Sequence, residues 1–438
     1  MSDRTTVFAA ETGPAAFQVA GLSAHRNAPP YVCRFCGMPL RHTFVDLGMS
    51  PLCESYLSAD QLNQMEPFYP LHVLVCDRCF LVQLQEYVRP ECIFSEYAYF
   101  SSYSDSWLAH ANAYTQKMTE RFGLDLNSLV VELASNDGYL LQYFMANGIP
   151  ALGIEPAANV AQVAIQKGVP TLVKFFNEDV ARQLAAENKY ADLLLGNNVL
   201  AQVPDLNGFV AGMKILLKPH GVITMEFPHL LRLMEQKQFD TIYHEHFSYF
   251  SFFTAQRIFA AHGLTFFDVE ELTTHGGSLR IYARHAEDLS EAVSSRVDDL
   301  CAREQALGLD RVETYQLFAR QVEAAKRNLL DFLVEVKRTG KSIVGYGAPG
   351  KGNTLLNYCG IRQDFIDYTV DRNPHKQGKF LPGSHIPILA PGRIQETKPD
   401  YVLILPWNLK DEIMHQLSYV REWGGKFVVP IPDVEVCR

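Results

Sequence analysis

The sequence predicts an α/β protein built around a doubly wound sheet, with a small zinc-binding domain before it and a second α/β domain after it. Three observations support this prediction: two Cys-x-x-Cys pairs near the N-terminus, alternating strand and helix patterns in the middle, and a glycine-rich turn behind a late strand. The chain has 438 residues, which suffices for about three domains.

Composition and charge narrow the class of protein. Hydrophobic residues make up 47% and charged residues 20%, which excludes a disordered or fibrous chain. The net charge of −10 disfavours a nucleic-acid partner, and no apolar run reaches the roughly 18 residues of a membrane span. We expect a cytoplasmic protein with a flexible leader at 1–30, a zinc-binding domain at 31–92, a central domain at 93–305 and a C-terminal domain at 306–438.

Six of the nine cysteines lie before residue 93, and four of them form two Cys-x-x-Cys pairs. These pairs are Cys33 with Cys36 and Cys76 with Cys79. Two such pairs predict a four-thiolate zinc site, which is structural because no ligand position stays open. Disulfides or free thiols are the alternatives, and a reducing compartment disfavours disulfides. The remaining cysteines are expected to be ordinary buried or surface residues: Cys53, Cys92, Cys301, Cys359 and Cys437.

The first strand–turn–helix unit of the central domain predicts a nucleoside site. An apolar strand at 129–134 contains Glu132 and leads into the turn 135–138, and the next strand, 151–155, ends in Glu155. An acid at the tip of the second strand typically accepts hydrogen bonds from ribose hydroxyls. The turn has a single glycine, which favours a nucleoside without phosphates, such as S-adenosylmethionine (SAM). Alternatively, the two acids only terminate strands.

Further strands are predicted at 191–195, 221–227, 264–271 and 278–284, the last two joined by a hairpin at 273–277. A mostly parallel sheet with an antiparallel final strand is the layout of class I methyltransferases.

The ordered set of motifs is more specific than any single one. The paired cysteines, the segment 131–138 and the sequence Tyr-His-Glu-His-Phe at 243–247 occur in one order. Over residues 31–436 this resembles the three-domain sugar C-methyltransferases that act on nucleotide-linked keto-deoxysugars. The resemblance implies a zinc-binding N-terminal domain, a class I SAM-dependent methyltransferase core and a Rossmann-like C-terminal domain. With the turn and strand ends above, it indicates these cofactor-binding residues: Glu132, Asn136, Asp137, Gly138, Glu155, Asn197 and Asn198.

The motif at 243–247 is the candidate catalytic site. Methylation at carbon needs a base that removes a proton next to a carbonyl, and histidine suits this task at neutral pH. The resemblance implies that His246 is the base, Tyr243 a hydrogen-bonding partner of the substrate and Glu245 an orienting carboxylate, with Tyr97 a further active-site tyrosine. If the segment is extended, Glu245 points away from His244 and His246.

Two other interpretations of the histidines remain open. In the first, His244 and His246 hold a metal, although their spacing lacks the H-E-x-x-H pattern. In the second, they are ordinary polar residues beside a buried turn. Some sugar enzymes of the family carry histidine where this chain has Gln202, which cannot take a proton at neutral pH. This difference bears on the acceptor or the proton path. We expect His275 to approach the substrate too, although a hairpin alone explains the glycines after it.

A second glycine-rich turn follows an amphipathic helix predicted at 311–338. Gly345, Gly347 and Gly350 match the G-x-G-x-x-G pattern, and Asp371 ends the next strand. Gly352 replaces the Ser/Thr of an ATP-binding loop, so an ATPase is disfavoured. We assign this loop to the diphosphate of a nucleotide-sugar; a degenerate nucleotide fold with a tight turn is the alternative. The expected substrate-binding residues are Gln202, His275, Gly347, Lys351 and Asn353.

These observations predict a SAM-dependent C-methyltransferase that acts on a nucleotide-diphosphate 4-keto-deoxysugar, with C-3 as the expected position. The alternatives are an NAD-dependent oxidoreductase that uses the C-terminal glycine loop, a non-catalytic zinc-ribbon adaptor, and a methyltransferase for a non-sugar carbon acid. We expect a monomer or weak homo-oligomer.

Overall fold

The computed structural model describes residues 31–94 and 100–437. The predicted leader at 1–30 and Tyr97 lie outside the described residues. None of the helices in the described ranges is both long and apolar enough to cross a membrane.

The described residues form three sheets with helices packed on them. The strands, in chain order, are β1 (His42–Ser50), β2 (Tyr69–Val75), β3 (Val82–Leu84), β4 (Val130–Leu133), β5 (Ala151–Ile154), β6 (Thr171–Leu172), β7 (Ala191–Asn197), β8 (Leu217–Pro228), β9 (Ser248–Tyr249), β10 (Leu264–Leu272), β11 (Ser278–His285), β12 (Ile343–Tyr346), β13 (Thr369–Val370), β14 (Ile388–Leu389), β15 (Tyr401–Ile404), β16 (Lys426–Val429) and β17 (Glu435–Cys437).

The α-helices, in the same order, are α1 (Pro90–Phe94), α2 (Asp105–Phe122), α3 (Leu141–Ala146), α4 (Ala158–Gln166), α5 (Glu178–Ala186), α6 (Leu206–Leu216), α7 (Leu230–Glu235), α8 (Phe252–Ala261), α9 (Ser295–Ala306), α10 (Val312–Arg338), α11 (Gly350–Cys359), α12 (Arg393–Thr397) and α13 (Lys410–Gln416). Short 3-10 helices lie at Ala59–Asn63, Ser101–Tyr103, Leu200–Gln202, Phe239–Thr241, Thr274–Gly276, Trp407–Leu409 and Ser418–Trp423.

The first sheet is antiparallel, in the order β1-β2-β3-β9. Its fourth strand, β9, comes from far along the chain and directly follows the Tyr-His-Glu-His-Phe motif. Val82 and Gln83 of β3 pair with Tyr249 and Ser248. The cysteine-rich region is therefore joined by backbone hydrogen bonds to the segment that carries the candidate base.

The second sheet has the order β10-β11-β8-β7-β4-β5-β6. Its pairs are parallel except those of β11, which runs antiparallel to both β10 and β8. This confirms the predicted sheet of the class I methyltransferase type with an antiparallel final strand. Because parallel strands end at one edge, the residues after β4, β5 and β7 meet there, at the position where open α/β sheets bind ligands.

The third sheet has the order β14-β13-β12-β15-β16-β17, parallel except for β17. The predicted amphipathic helix is present as α10, with Phe318, Val322 and Leu329 buried. The Phe318 ring stacks on Phe44 of β1 at 4.6 Å between centroids, so α10 shares its core with the first sheet as well as the third.

We predict that Gly138→Ala destabilises the fold much more than Gly48→Ala. Both glycines have a positive φ, +74° and +75°, at which alanine costs about 1–2 kcal/mol. A Cβ at Gly138 would also lie 2.9 Å from Val169 Cγ2, whereas Gly48 has no atom within 4 Å. Overpacking adds about 1–3 kcal/mol at Gly138 alone. Equal unfolding midpoints of the two variants in urea would contradict this prediction.

Candidate active site

The four predicted metal-ligating cysteines lie together. Their sulfur atoms are all within 4.8 Å of one another, and all four are free thiols. The pairs Cys33–Cys79 and Cys36–Cys76 are 3.4 and 3.5 Å apart between Sγ atoms. Zn–S bonds of about 2.3 Å in a tetrahedron put sulfurs about 3.8 Å apart, so the cluster fits a zinc ion after a small adjustment.

The two cysteine turns have the same backbone design. The amides of Gly37 and Phe80 bond back to the carbonyls of Cys33 and Cys76, and both residues have a positive φ. Each turn can therefore direct two thiolates to one point. The side-chain amide of Gln83 donates to Cys33 Sγ at 3.1 Å, a contact that suits a thiolate ligand.

The predicted cofactor turn follows β4 and places a buried acid beneath it. Both carboxylate oxygens of Glu132 are buried and make no hydrogen bond of regular geometry within the described residues, although the Tyr139 side chain acts on the carboxyl group and opposes the rise of its pKa. Burial raises the pKa of Glu132 well above its usual value. Because an unpartnered buried carboxylate is costly, this position suits a ligand that donates hydrogen bonds, as a nucleoside with ribose hydroxyls and an ammonium group does.

Glu155 lies at the tip of β5, as predicted, but its two oxygens already accept backbone hydrogen bonds. The amides of Asn136 and Ala157 donate to it at 2.9 and 2.8 Å. Burial raises the pKa of Glu155 to about 6 against these bonds. Each oxygen retains acceptor capacity, so Glu155 both shapes the turn and leaves a site for hydroxyl donors.

The other predicted cofactor residues border the same sheet edge. Asp137 is bonded by Lys167, with its Oδ1 unpartnered in the described part of the chain. After β7, Asn197 donates to the Tyr139 hydroxyl at 3.2 Å. Asn198, with a φ of +57°, contacts the His275 Nε2 through its amide nitrogen at 3.0 Å. The edge therefore extends from the cofactor turn to the predicted substrate side.

The Tyr243–His246 segment is a turn rather than an extended strand, so the alternation of side chains along a strand does not apply to it. The His246 amide donates to the Tyr243 carbonyl at 2.9 Å, which closes the chain on itself. As a result the Tyr243 and His246 rings lie 4.2 Å apart between centroids. His244 points elsewhere: its Nε2 donates to the Pro70 carbonyl at 3.1 Å. The two histidines thus have different surroundings and do not form a metal pair.

His246 has the tautomer that a general base needs. Its Nδ1 lies 3.0 Å from the Thr241 carbonyl, which can only accept, so Nδ1 carries the proton. The lone pair is then on Nε2, which makes no hydrogen bond to any described residue. Burial lowers the pKa of His246 to about 4, with the positive charge of Lys351 contributing in the same direction. The ring is therefore neutral at pH 7.

Glu245 is buried and faces the first sheet's long loop, where the Cys53 thiol donates to its Oε1 at 3.5 Å. Gln202 ends the 3-10 helix Leu200–Gln202, and the neighbouring Ala201 carbonyl accepts from the Phe247 amide at 2.7 Å. Gln202 therefore lies next to the segment that follows the Tyr243–His246 turn.

An ion network that the sequence reasoning missed lies beside His275. Glu226 of β8 is fully buried and accepts from Arg280 at 2.9 Å and from Thr274 at 2.8 Å, and it contacts His110 at 3.0 Å. Although burial opposes ionisation, bonds from His110 and Arg280 keep the pKa of Glu226 below its usual value. The signal in the sequence is one acid inside the otherwise apolar strand Val222–Phe227.

The network fixes the hairpin tip that carries His275. Thr274 holds the tip to Glu226, and His275 has a φ of +53° with its ring 5.2 Å from Trp107. Burial lowers the pKa of His275 to about 4, with Lys351 again contributing. His275 thus touches the cofactor side through Asn198 and lies within electrostatic reach of the base.

The second glycine loop is covered by the protein itself. A Cβ at Gly350 would lie 2.9 Å from Cys53 Sγ and 3.5 Å from Glu54 Oε1. Asp371 accepts from the Ala348 amide at 2.7 Å and from the Asn373 amide at 2.8 Å. The loop therefore has polar partners from within the chain at the place where a dinucleotide would lie.

The predicted substrate residues of this loop are used in different ways. Gly347 has a φ of +89°, and a Cβ there would lie 2.6 Å from Pro406 Cδ. Asn353 is buried and donates to the Cys53 carbonyl at 2.5 Å. The Nζ of Lys351 donates to Asn408 Oδ1 at 2.8 Å, and, besides burial, the charge of Lys351 is one of the causes that lower the pKa of His246 and of His275.

Comparison with known proteins gives matches along the chain. Family descriptions match residues 33–94 ("Putative zinc binding domain"), 107–269 ("Methyltransferase domain") and 273–432 ("C-methyltransferase C-terminal domain"). The C-methyltransferase NovU of Streptomyces niveus is 37% identical over 404 residues, covering 92% of this chain and 96% of that protein.

Solved structures align with parts of the chain. The PH0226 protein of Pyrococcus horikoshii OT3 aligns at 15% identity with a TM-score of 0.36, covering 46% of this chain and 99% of that one. A SAM-dependent methyltransferase of Clostridium acetobutylicum ATCC 824 aligns at 9% identity with a TM-score of 0.32, covering 40% and 90%.

We predict that the purified protein holds about one zinc per chain and that Cys36→Ser removes it and lowers the unfolding temperature. Loss of one of four thiolates opens the tetrahedral site, and the metal contributes directly to folding. The matched control is Cys92→Ser, an exposed thiol outside the cluster. Elemental analysis and a thermal melt measure both effects; full zinc content in Cys36→Ser would refute the site.

Proposed function

Because the chain belongs to the C-methyltransferase family, we propose that this SAM-dependent C-methyltransferase acts on a nucleotide-diphosphate 4-keto-deoxysugar and methylates C-3, beside the ketone. The N-terminal part is a zinc-binding domain. We also propose domain limits of 31–92, 93–305 and 306–438, and a cytoplasmic enzyme whose partner is the nucleotide-sugar.

The observation that carries the proposed chemistry is the state of His246. Its Nδ1–H is held by Thr241, and its Nε2 is free of any bond to a described residue. A neutral imidazole fixed in one tautomer is suited to remove a proton from a carbon acid. A C–H next to a ketone is acidic enough for such a base, whereas an isolated sugar C–H is not.

The cofactor supplies a methyl group on a sulfonium, and the chain's residues prepare the carbon that receives it. The Glu132 carboxylate, the turn at Gly138 and Glu155 would bind the cofactor's nucleoside and ammonium groups. Tyr243 lies against the base and is placed to orient the acceptor, and burial raises the pKa of its phenol, so it can donate a hydrogen bond.

Zinc would act at a distance from the chemistry. Four thiolates leave no open coordination position for substrate. The zinc turns instead order the strand β3, whose Leu84 amide donates to the Phe247 carbonyl at 3.0 Å. The metal thereby supports the position of the catalytic turn.

The direct test is incubation with methyl-labelled SAM and a panel of nucleotide-linked ketosugars, followed by NMR of the product. The proposal expects label on the carbon adjacent to the ketone. Label on oxygen or nitrogen would contradict the carbon-nucleophile chemistry, and label on a ketone without a nucleotide would contradict the proposed acceptor.

We predict that His246→Asn lowers both proton exchange at the acceptor carbon in D2O and methyl transfer by about 10²–10⁴-fold, the usual contribution of a general base. The matched control is His244→Gln, because His244 bonds the Pro70 carbonyl and glutamine keeps an N–H donor. SAM binding should persist in both variants. Comparable exchange rates in wild type and His246→Asn would exclude His246 as the base.

We predict that kcat/KM stays high down to about pH 5 and falls as the pH drops through the pKa of His246. Burial lowers that pKa from 6.5 to about 4, and the base form exists above it. An unperturbed histidine would instead lose activity near pH 6.5. Recovery of activity after return to pH 7 controls for acid unfolding, and an acidic limb centred at 6.5 would rule out this buried base.

A further inference from the structure

Lys351 has an environment that its predicted role as a diphosphate ligand does not explain. It lies in the first turn of α11, partly buried, with its Nζ 4.6 Å from the Trp407 ring centroid and bonded to Asn408 Oδ1. An ammonium has three N–H donors, and this bond uses one. The polar partner of the Lys351 Nζ is the neutral Asn408 side chain, and Asp240 acts on its charge without forming an ion pair within the described ranges.

Asp240 is the carboxylate whose charge acts on Lys351, but its hydrogen bond is to a different side chain. Asp240 is fully buried, and its Oδ2 accepts from Trp407 Nε1 at 2.7 Å. Its Oδ1 has no partner in the described part of the chain. An enclosed cation without a directly paired anion is unfavourable. This arrangement therefore suits an anion that arrives with the substrate.

Backbone contacts bring Lys351 to the catalytic turn. Helix α11 packs on the 3-10 helix Phe239–Thr241, and Thr354 donates to the Ile242 carbonyl at 2.9 Å. The carbonyl of Thr241, from the same short helix, holds His246. The 3-10 helix Phe239–Thr241 and the residue after it therefore position both the helix that carries Lys351 and the imidazole of His246.

The hairpin tip completes this enclosure. The Trp407 ring beneath Lys351 packs against the hairpin, where a Cβ at Gly276 would lie 2.6 Å from Trp407 Cη2. Burial is the main cause that lowers the pKa of His246 and of His275, and the charge of Lys351 contributes to both shifts. Lys351 therefore lies within electrostatic reach of both rings.

The surroundings of the glycine loop argue against a diphosphate at Lys351. The Glu54 carboxylate approaches Gly350 and pairs with Lys376 at 3.4 Å, which places an acid of the chain where phosphate oxygens would lie. Like charges repel strongly in an enclosed site.

We propose that Lys351 is a catalytic residue that donates a hydrogen bond to the ketone oxygen as the enolate forms. This inference rests on the proposed function, because it requires a ketone beside the carbon that His246 deprotonates. An ammonium within electrostatic reach of His246 is placed to donate a hydrogen bond to the ketone oxygen, which lies two bonds from the carbon that loses its proton.

The step balances as follows in atoms and electrons. The C–H bond breaks, its proton goes to His246 Nε2, and the electron pair moves through the carbon to leave negative charge on the ketone oxygen. Lys351 keeps its proton and stabilises that charge. When the carbon takes the methyl group, the pair forms the new C–C bond and the ketone is restored. The S–CH3 bond of the sulfonium donor would break in the same step, with its electron pair left on sulfur to give a neutral thioether. His246 then returns its proton to water.

The experiment compares wild type with Lys351→Met, Lys351→Arg and the matched control Lys326→Met. Lys326 is also partly buried, lies 4.4 Å from the Tyr358 ring and bonds the Tyr358 carbonyl, but it belongs to α10 and not to α11. Deuterium exchange of a thymidine-diphosphate 4-keto-6-deoxysugar is followed by NMR without SAM. Binding of thymidine diphosphate and of SAM is measured by calorimetry.

The expected result is a loss of about 10²–10³-fold in exchange for Lys351→Met, the usual effect of removing one oxyanion donor, with unchanged affinity for thymidine diphosphate and SAM. Lys351→Arg, which keeps the charge, should restore part of the exchange, and Lys326→Met should exchange like wild type. SAM affinity reports that each variant is folded. If Lys351→Met does not fold, the Lys351→Arg variant decides. Either a wild-type exchange rate or no exchange at all in Lys351→Arg would overturn the catalytic role of Lys351.

Three results would overturn the proposal separately from the proposed function. Exchange at the wild-type rate in Lys351→Met would remove Lys351 from the chemistry. Weaker binding of thymidine diphosphate with unchanged exchange at saturation would make Lys351 a phosphate ligand. A covalent adduct at Lys351 after borohydride treatment with the ketosugar would indicate an imine. Absence of methylation and exchange in wild type, with every ketosugar of the panel, would overturn both proposals.

Discussion

The backbone of the catalytic turn is held from three directions, and the candidate site depends on this constraint. The Phe247 carbonyl accepts from Leu84 of the first sheet, and the Phe247 amide donates to Ala201 of the second sheet's loop. The Ile242 carbonyl accepts from Thr354, on the helix after the first strand of the third sheet. Each bond spans more than 40 residues, so His246, the proposed base, is positioned only when all three regions are folded.

The sequence could predict those features that depend on local residue patterns. Apolar runs and turn glycines predicted every strand of the second sheet except the two-residue β6. The apolar periodicity predicted the helix α10, and the spacing of the cysteines predicted their cluster. The ends of β4, β5 and β7 met as parallel topology requires. In each case the physical cause acts within one element or between neighbouring elements of a regular sheet.

The rest depends on contacts between distant segments. Strand β9 has only two residues and no apolar pattern of its own, so its pairing with β3 is not encoded locally. The turn at Tyr243–His246 is held in place by bonds of Phe247 to Leu84 and Ala201. The cover on Gly350 comes from Cys53 and Glu54, about 300 residues earlier. A G-x-G-x-x-G pattern indicates a tight backbone turn. It does not indicate which group occupies the space beside that turn.

The low pKa of the base is compatible with its proposed task once the charges of the reacting state are counted. In the free protein His246 is neutral partly because protonation would place a second cation near Lys351. When a proton moves from the acceptor carbon to His246, an anion forms on the ketone oxygen at the same time. Under the proposed mechanism this oxygen lies between the two cations, and their repulsion is offset as the enolate develops. Burial is the main cause that keeps the resting imidazole neutral, and the ammonium that adds to this effect would also favour the charge distribution of the proposed transition state.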